Sequence, residues 1–188
     1  MEIIIKDIPE EGVHLHLDSH TNPEFRQILS DSLEKTYCEA DAGNAEINLL
    51  RTGPNVDCQG EVLCEYHPEC GRCLKVFDAR LEVPFHLTLA PLYESDRQLK
   101  LEQKEEVELV MEDLEFAYYE GDRFNLGNII REQVLLAFPL QPLCDAACKG
   151  LCQRCGKDWN EGPCDCQDRQ EDSRWAQLKA LKSKVLKD

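Results

Sequence analysis

The stretch VDCQGEVLCEYHPECGRCLKVFDARLEVPFHLTL, residues 56–89, alternates apolar and polar side chains on both sides of a central break. Val56, Cys58, Val62, Cys64 and Tyr66 share one parity, and Asp57, Gln59, Glu61, Leu63 and Glu65 share the other. Beyond the break, Phe77, Leu81, Val83, Phe85, Leu87 and Leu89 again fall on one side. Successive side chains of a strand point to opposite faces, so this period of two predicts two strands with one buried face. The break at HPECGRC joins them as a long hairpin. Cys58 and Cys64 lie on the apolar face and read as small buried hydrophobes. His86 falls on the solvent side.

Working outward, EIIIKDI (residues 2–8) and VHLHL (residues 13–17) read as strands, with another over residues 45–51. His14 and His16 share one face of their strand, which reads as a solvated polar face rather than a metal pair. NPEFRQILSDSLEK, residues 22–35, predicts a helix. Asn22 is its cap, Pro23 occupies the first helical position, and Phe25, Ile28, Leu29 and Leu33 fall on one side. A second helix is expected over residues 125–138, where Leu126, Ile129, Ile130, Val134 and Ala137 recur at helical spacing after Asn125. Pro139 and Pro142 end it. The tail EDSRWAQLKALKSKVLKD predicts a terminal helix with Trp175, Leu178, Leu181 and Val185 on one face and lysines on the rest. The resulting expectation is an α+β fold: an antiparallel, barrel-like sheet with packed helices (residues 1–140), a Cys-rich zinc module (141–170) and a C-terminal helix (171–188).

Charge narrows the partners. The chain of 188 residues carries a net −16. Eleven carboxylates against Arg97, Lys100 and Lys104 place −8 of it between Glu94 and Asp122. Such a chain repels phosphate backbones at long range and suits a basic partner. The acidic run reads first as a solvated segment and second as a docking surface for a basic protein. MEIIIKDIPEEG lacks the basic start of a targeting signal, and no apolar run is long enough to span a bilayer. A cytoplasmic protein is therefore expected, where thiols stay reduced.

In that compartment eleven cysteines point to metal or buried thiol rather than to disulfides. CGRC places Cys70 and Cys73 in a Cys-x-x-Cys pair at the hairpin tip, a spacing that aims two thiolates at one ion. Dithiol redox chemistry uses the same spacing, normally at the start of a helix; here strand residues follow. Six more cysteines crowd residues 142–166. Cys152, Cys155, Cys164 and Cys166 read Cys-x-x-Cys, eight residues, Cys-x-Cys, a complete tetrahedral set on one loop. Cys144 and Cys148 remain, and pairing them with Cys70 and Cys73 makes a second all-cysteine zinc. A single zinc drawn from any four of the six clustered cysteines is the alternative. All-thiolate sites are closed and structural, whereas a catalytic zinc keeps an open position. No phosphate-binding glycine loop or nucleophile elbow is present. The chain therefore reads as a non-enzyme holding one or two structural Zn2+.

The order of these motifs carries a resemblance. CGRCL at a hairpin tip, an acidic segment, IIREQVLLAFPLQPLC, CKGLCQRCGKDWNEGPCDC and DSRWAQLKAL together resemble the YceD-like family of large ribosomal RNA subunit accumulation proteins, found in bacteria and plastids. The likeness covers roughly residues 56–182. The family's GLCPxCGxNLN is here GLCQRCGKDWN, with Gln153 for proline and Trp159 for leucine; its DPR is Asp172-Ser173-Arg174. What the resemblance implies is a non-catalytic factor in large-subunit assembly that supports 23S ribosomal RNA accumulation or processing. The acidic charge adds a basic ribosomal protein or large-subunit precursor as partner, with 23S ribosomal RNA contact as a further option. A thiol-based redox or metal-sensing protein is the competing reading.

Overall fold

The computed structural model describes residues 1–38, 40–92 and 116–166. The terminal helix expected over 171–188 and most of the acidic run lie outside the described residues. The chain forms two compact units, residues 1–71 with 75–144, and residues 72–74 with the described residues from 145 on.

The first unit is built on the hairpin. Strand β1 is Glu2–Ile4, β2 Val13–Asp18, β3 Gly43–Thr52, β4 Asn55–Tyr66 and β5 Ala79–Pro91; β6 is Phe116–Tyr119 and β7 Arg123–Asn125. Helix α1 is Pro23–Leu33 and α2 is Leu126–Ala137. β4 and β5 pair antiparallel with Cys58 opposite Leu87, Val62 opposite Val83 and Cys64 opposite Leu81. One parity of β4 is buried at Val56, Cys58, Val62, Cys64 and Tyr66, and β5 buries Leu81, Val83, Phe85 and Leu89. Burial pushes the Cys58 and Cys64 thiols up to about 12, so they behave as apolar filler.

The sheet runs β2-β3-β4-β5-β6. It is open, not the barrel that alternation suggested. Its pairs are antiparallel as far as β5, but β6 lies parallel to β5, Thr88 opposite Phe116 through Pro91 opposite Tyr119. The sheet is thus mixed rather than antiparallel. FAYY sits inside the acidic run and is too short to show a period, which is why sequence reading assigned no strand there. The described β1 is also shorter than the strand expected over 2–8. After Ile4 the chain tightens into a 3-10 turn, Ile5–Asp7, closed by the Ile8 N–H donating to Ile5 O at 3.2 Å. A three-residue turn carries Ile5 and Ile8 to the same side, and both are buried.

The helices complete this core. Asn22 Oδ1 accepts the Phe25 N–H at 3.0 Å, and Asn125 Oδ1 accepts the Asn128 N–H at 3.1 Å. Each cap satisfies a donor that a helix start leaves over. α1 buries Phe25, Leu29 and Leu33; α2 buries Leu126, Ile129, Ile130 and Val134. A Cβ at Gly127 would sit 2.8 Å from Ile28 Cδ1, so the two helices meet closely here and a larger residue would have to push the Ile28 side chain aside. Phe138, just past α2, packs its ring 5.5 Å from that of Tyr66 at the end of β4.

The second unit is different in kind. Its buried residues among those described are Cys73, Cys148, Gly150, Cys152 and Asp158. No aliphatic or aromatic side chain is buried among them. Its one described helical element is the 3-10 turn Trp159–Glu161, capped by Asp158, whose Oδ1 accepts the Asn160 N–H at 2.8 Å. Arg72 Nη1 donates to the carbonyl oxygens of Cys148 at 2.9 Å and Ala146 at 3.3 Å.

Candidate metal centres

The two Cys-x-x-Cys segments fold into the same turn. In ECGRCLKV the Cys70 N–H donates to Lys75 O at 2.8 Å, and Glu69 bridges antiparallel to Val76. In LCQRCGKD the Cys152 N–H donates to Lys157 O at 2.8 Å, and Leu151 bridges to Asp158. Both read Cys-x-Arg-Cys-x-Lys. In each, the residue after the second cysteine turns left-handed: Leu74 at φ 60° and Gly156 at φ 72°. That turn reverses the chain and leaves both sulfurs of a pair facing the same point.

Cys152, Cys155, Cys164 and Cys166 bring their sulfurs within 4.8 Å of one another. Zinc–sulfur bonds of about 2.3 Å in a tetrahedron require sulfurs about 3.8 Å apart, so the spacing fits a closed four-thiolate ion. The local hydrogen bonds favour thiolate at Cys152 and Cys164. The Arg154 N–H lies 3.5 Å from Cys152 Sγ, and backbone donors from Cys155 and Arg154 hold the Cys152 thiol below its ordinary range. Cys164 is pushed down to about 6, first by the Trp159 side chain donating to its sulfur and then by the Cys166 N–H. Cys166 moves the other way, to about 12, chiefly because it shares a proton with Cys155.

The sulfurs of Cys70, Cys73, Cys144 and Cys148 also lie within 4.8 Å of one another. Cys148 Sγ accepts a hydrogen bond from Asn160 Nδ2 at 3.3 Å. An amide donor on a sulfur is the kind of outer contact that orients and tunes a metal ligand. The eight cysteines singled out in the sequence thus fall into two groups of four, and the choice between one zinc and two becomes a choice about occupancy. The other candidates stay apart from these groups. His14 Nε2 and His16 Nδ1 both meet Glu46, at 2.6 and 2.5 Å, on an exposed face. His86 pairs with Asp57 at 2.6 Å, also exposed. A third group, Cys38, Asp41 and His67, was not read from the sequence, because its members belong to no metal-binding spacing.

Known proteins resemble this chain. The family model described as "Large ribosomal RNA subunit accumulation protein YceD" matches residues 58–182, from β4 through both cysteine turns. A stretch of 66 residues is 32% identical to "Large ribosomal RNA subunit accumulation protein YCED homolog 1, chloroplastic" of Arabidopsis thaliana. It covers 35% of this chain and 21% of that protein, so this chain spans about a fifth of that relative's length. No solved structure matches.

Proposed function

The chain belongs to the YceD family, and from that premise we propose that it is a non-catalytic factor in biogenesis of the large ribosomal subunit. It supports accumulation or processing of 23S ribosomal RNA by binding a basic ribosomal protein or a large-subunit precursor in the cytoplasm. The observation that carries this reading is the family match over 58–182, two thirds of the chain, which takes in both cysteine turns and α2. Support for a protein partner comes from charge. A chain at −16, with half of that charge between Glu94 and Asp122, meets basic surfaces more readily than phosphate.

Zinc is structural in this proposal. Cys152, Cys155, Cys164 and Cys166 would hold one ion and Cys70, Cys73, Cys144 and Cys148 another. A four-thiolate ion supplies a cross-link and has no open position for substrate. The second unit needs such a cross-link, because among its described residues it buries cysteines and no aliphatic or aromatic side chain. The competing reading, a thiol redox or metal-sensing protein, draws on the low pKa of Cys164. Zinc retained through mild oxidation, with unchanged thiol titration, separates the first role from the second.

The test of partner binding is a pull-down of large-subunit components at two salt concentrations, with wild type beside a Glu105→Gln, Glu106→Gln, Glu108→Gln variant. Recovery of basic ribosomal proteins is expected to fall in the variant and at high salt, since screening shortens to roughly 8 Å at physiological ionic strength. Equal recovery by both proteins at both salts would sink the acidic docking surface. Capture of deproteinised RNA by both, strengthened in the variant, would assign binding to RNA instead.

A further inference from the structure

We propose that Cys38, Asp41 and His67 form a third metal site, for one divalent ion of the zinc type, separate from both four-cysteine groups and independent of the ribosomal role. A Cys Sγ, a carboxylate oxygen and a ring nitrogen from these residues lie within 4.8 Å of one another. All three are held by the first unit's own scaffold. Asp41 closes a tight turn: its N–H donates to Cys38 O at 3.0 Å, and its Oδ2 accepts the Cys38 N–H at 2.6 Å. The Asp41 carbonyl takes the hydroxyls of Tyr37 at 3.2 Å and Ser19 at 3.4 Å. His67 follows β4 directly, and its N–H donates to Thr36 O at 2.6 Å. The turn and the strand end are thus stitched together at the point where the ligand atoms meet.

Two features point to a metal rather than to an ion pair alone. The first is the orientation of the imidazole. His67 Nδ1 lies 3.0 Å from Asp78 Oδ1, while Nε2 lies 2.8 Å from Asp41 Oδ1. A carboxylate on one ring nitrogen, with the other aimed at the remaining donors, is the arrangement that positions a metal-binding histidine. In the metal-free chain a proton occupies the space between Nε2 and Asp41. An ion replaces that proton with a separation of about 3.3 Å between nitrogen and oxygen, as bonds near 2.0 Å in a tetrahedron require. The second is the Cys38 thiol. An Asp–His–Asp staple has no use for sulfur, whereas one thiolate, one imidazole and one carboxylate form a mixed set suited to zinc. Asp41 is buried to 7% exposure and Cys38 is exposed, so the ion would have an inner wall and a solvent side. Three protein ligands leave the fourth position to water.

The experiment follows Cys38 in the full chain. Protein with its four-cysteine groups saturated is treated with N-ethylmaleimide with and without further buffered zinc, and the peptide bearing Cys38 is quantified by mass. Zinc is expected to slow alkylation of Cys38 at least about tenfold. Asp78→Asn should raise the zinc concentration needed by about 10- to 100-fold, the usual effect of removing a histidine's outer partner. His67→Gln should abolish the protection. Cys58 and Cys64, buried in the first unit's core, should stay equally unreactive in every variant, which reports an intact fold. Alkylation of wild-type Cys38 at one rate with and without zinc, or full protection in His67→Gln, would overturn the site.

Discussion

Leu74 and Gly156 occupy the same place in two copies of one turn, at φ 60° and φ 72°. The left-handed region crowds the Cβ of an L-residue, at about 1–2 kcal/mol, and glycine escapes that penalty. Leu74 is 57% exposed, so its side chain gains little burial in return. Leu74→Gly should therefore stabilise the protein by about 0.5 kcal/mol, the strain relieved less glycine's greater freedom when unfolded. Gly156→Ala should destabilise by about 1 kcal/mol, although nothing lies within 4 Å of the added Cβ, because its cost is in the backbone alone. Denaturant midpoints of the two variants, zinc-loaded, check this; changes of the same sign would break the equivalence of the turns. Gly156 was legible in the sequence as the residue that allows the turn. That Leu74 takes the same conformation was not, since leucine rarely does and the turn's hydrogen bonds override its preference.

At the scale of elements, the neighbouring strands β2 and β3 set His14, His16, Glu46 and Asn48 on one exposed face. His14 is raised above 6.5, first by the hydrogen bond to Asn48 and also by Glu46; Glu46 is lowered below 4.5, first by its hydrogen bond to His16. A raised histidine stabilises the fold fully below its unfolded pKa and loses that contribution as pH rises through the folded value. A lowered carboxylate does the reverse, contributing above its unfolded pKa and losing it as pH falls through the folded one. Their common window lies between pH 4.5 and 6.5. The stability difference between wild type and Glu46→Gln should peak there and shrink on both sides, measured by thermal melts across pH. A difference that is flat with pH would remove the charge pairing between these strands. The hairpin, both helices and both asparagine caps were readable because each is a local pattern of period or cap. The parallel β6 was not: four residues carry too little pattern, and nothing local indicates that they return alongside the preceding strand, β5.

For the whole molecule, the two units should answer metal removal differently. The first has an apolar core around Phe25, Leu29, Ile47, Val62 and Ile130. Among its described residues the second buries cysteines and no aliphatic or aromatic side chain. A small unit without a core takes its folding free energy from its metal. Elemental analysis of protein purified without added metal should give about two zinc ions from the eight cysteines, at four ligands each. Cys164→Ser should lose one of them. Under a strong chelator, proteolysis should open residues 145–166 while amide protection in β3, β4 and β5 persists. A zinc content near zero in native protein, or equal loss of protection in both units, would contradict this reading.

By itself the sequence determined the α+β class, the long hairpin, the helices with their caps, the burial of Cys58 and Cys64 and the identity of eight metal-ligand candidates. Those follow from periodicity and spacing, which act over a few residues and need no knowledge of distant chain. The tertiary structure alone decided that the sheet stays open and mixed, and that the eight sulfurs fall into two groups of four. It also decided that Cys38 and Asp41 meet His67. Each of these depends on which distant segments come together. A spacing rule describes the directions in which neighbouring side chains point; it carries no information on what another part of the chain brings to meet them.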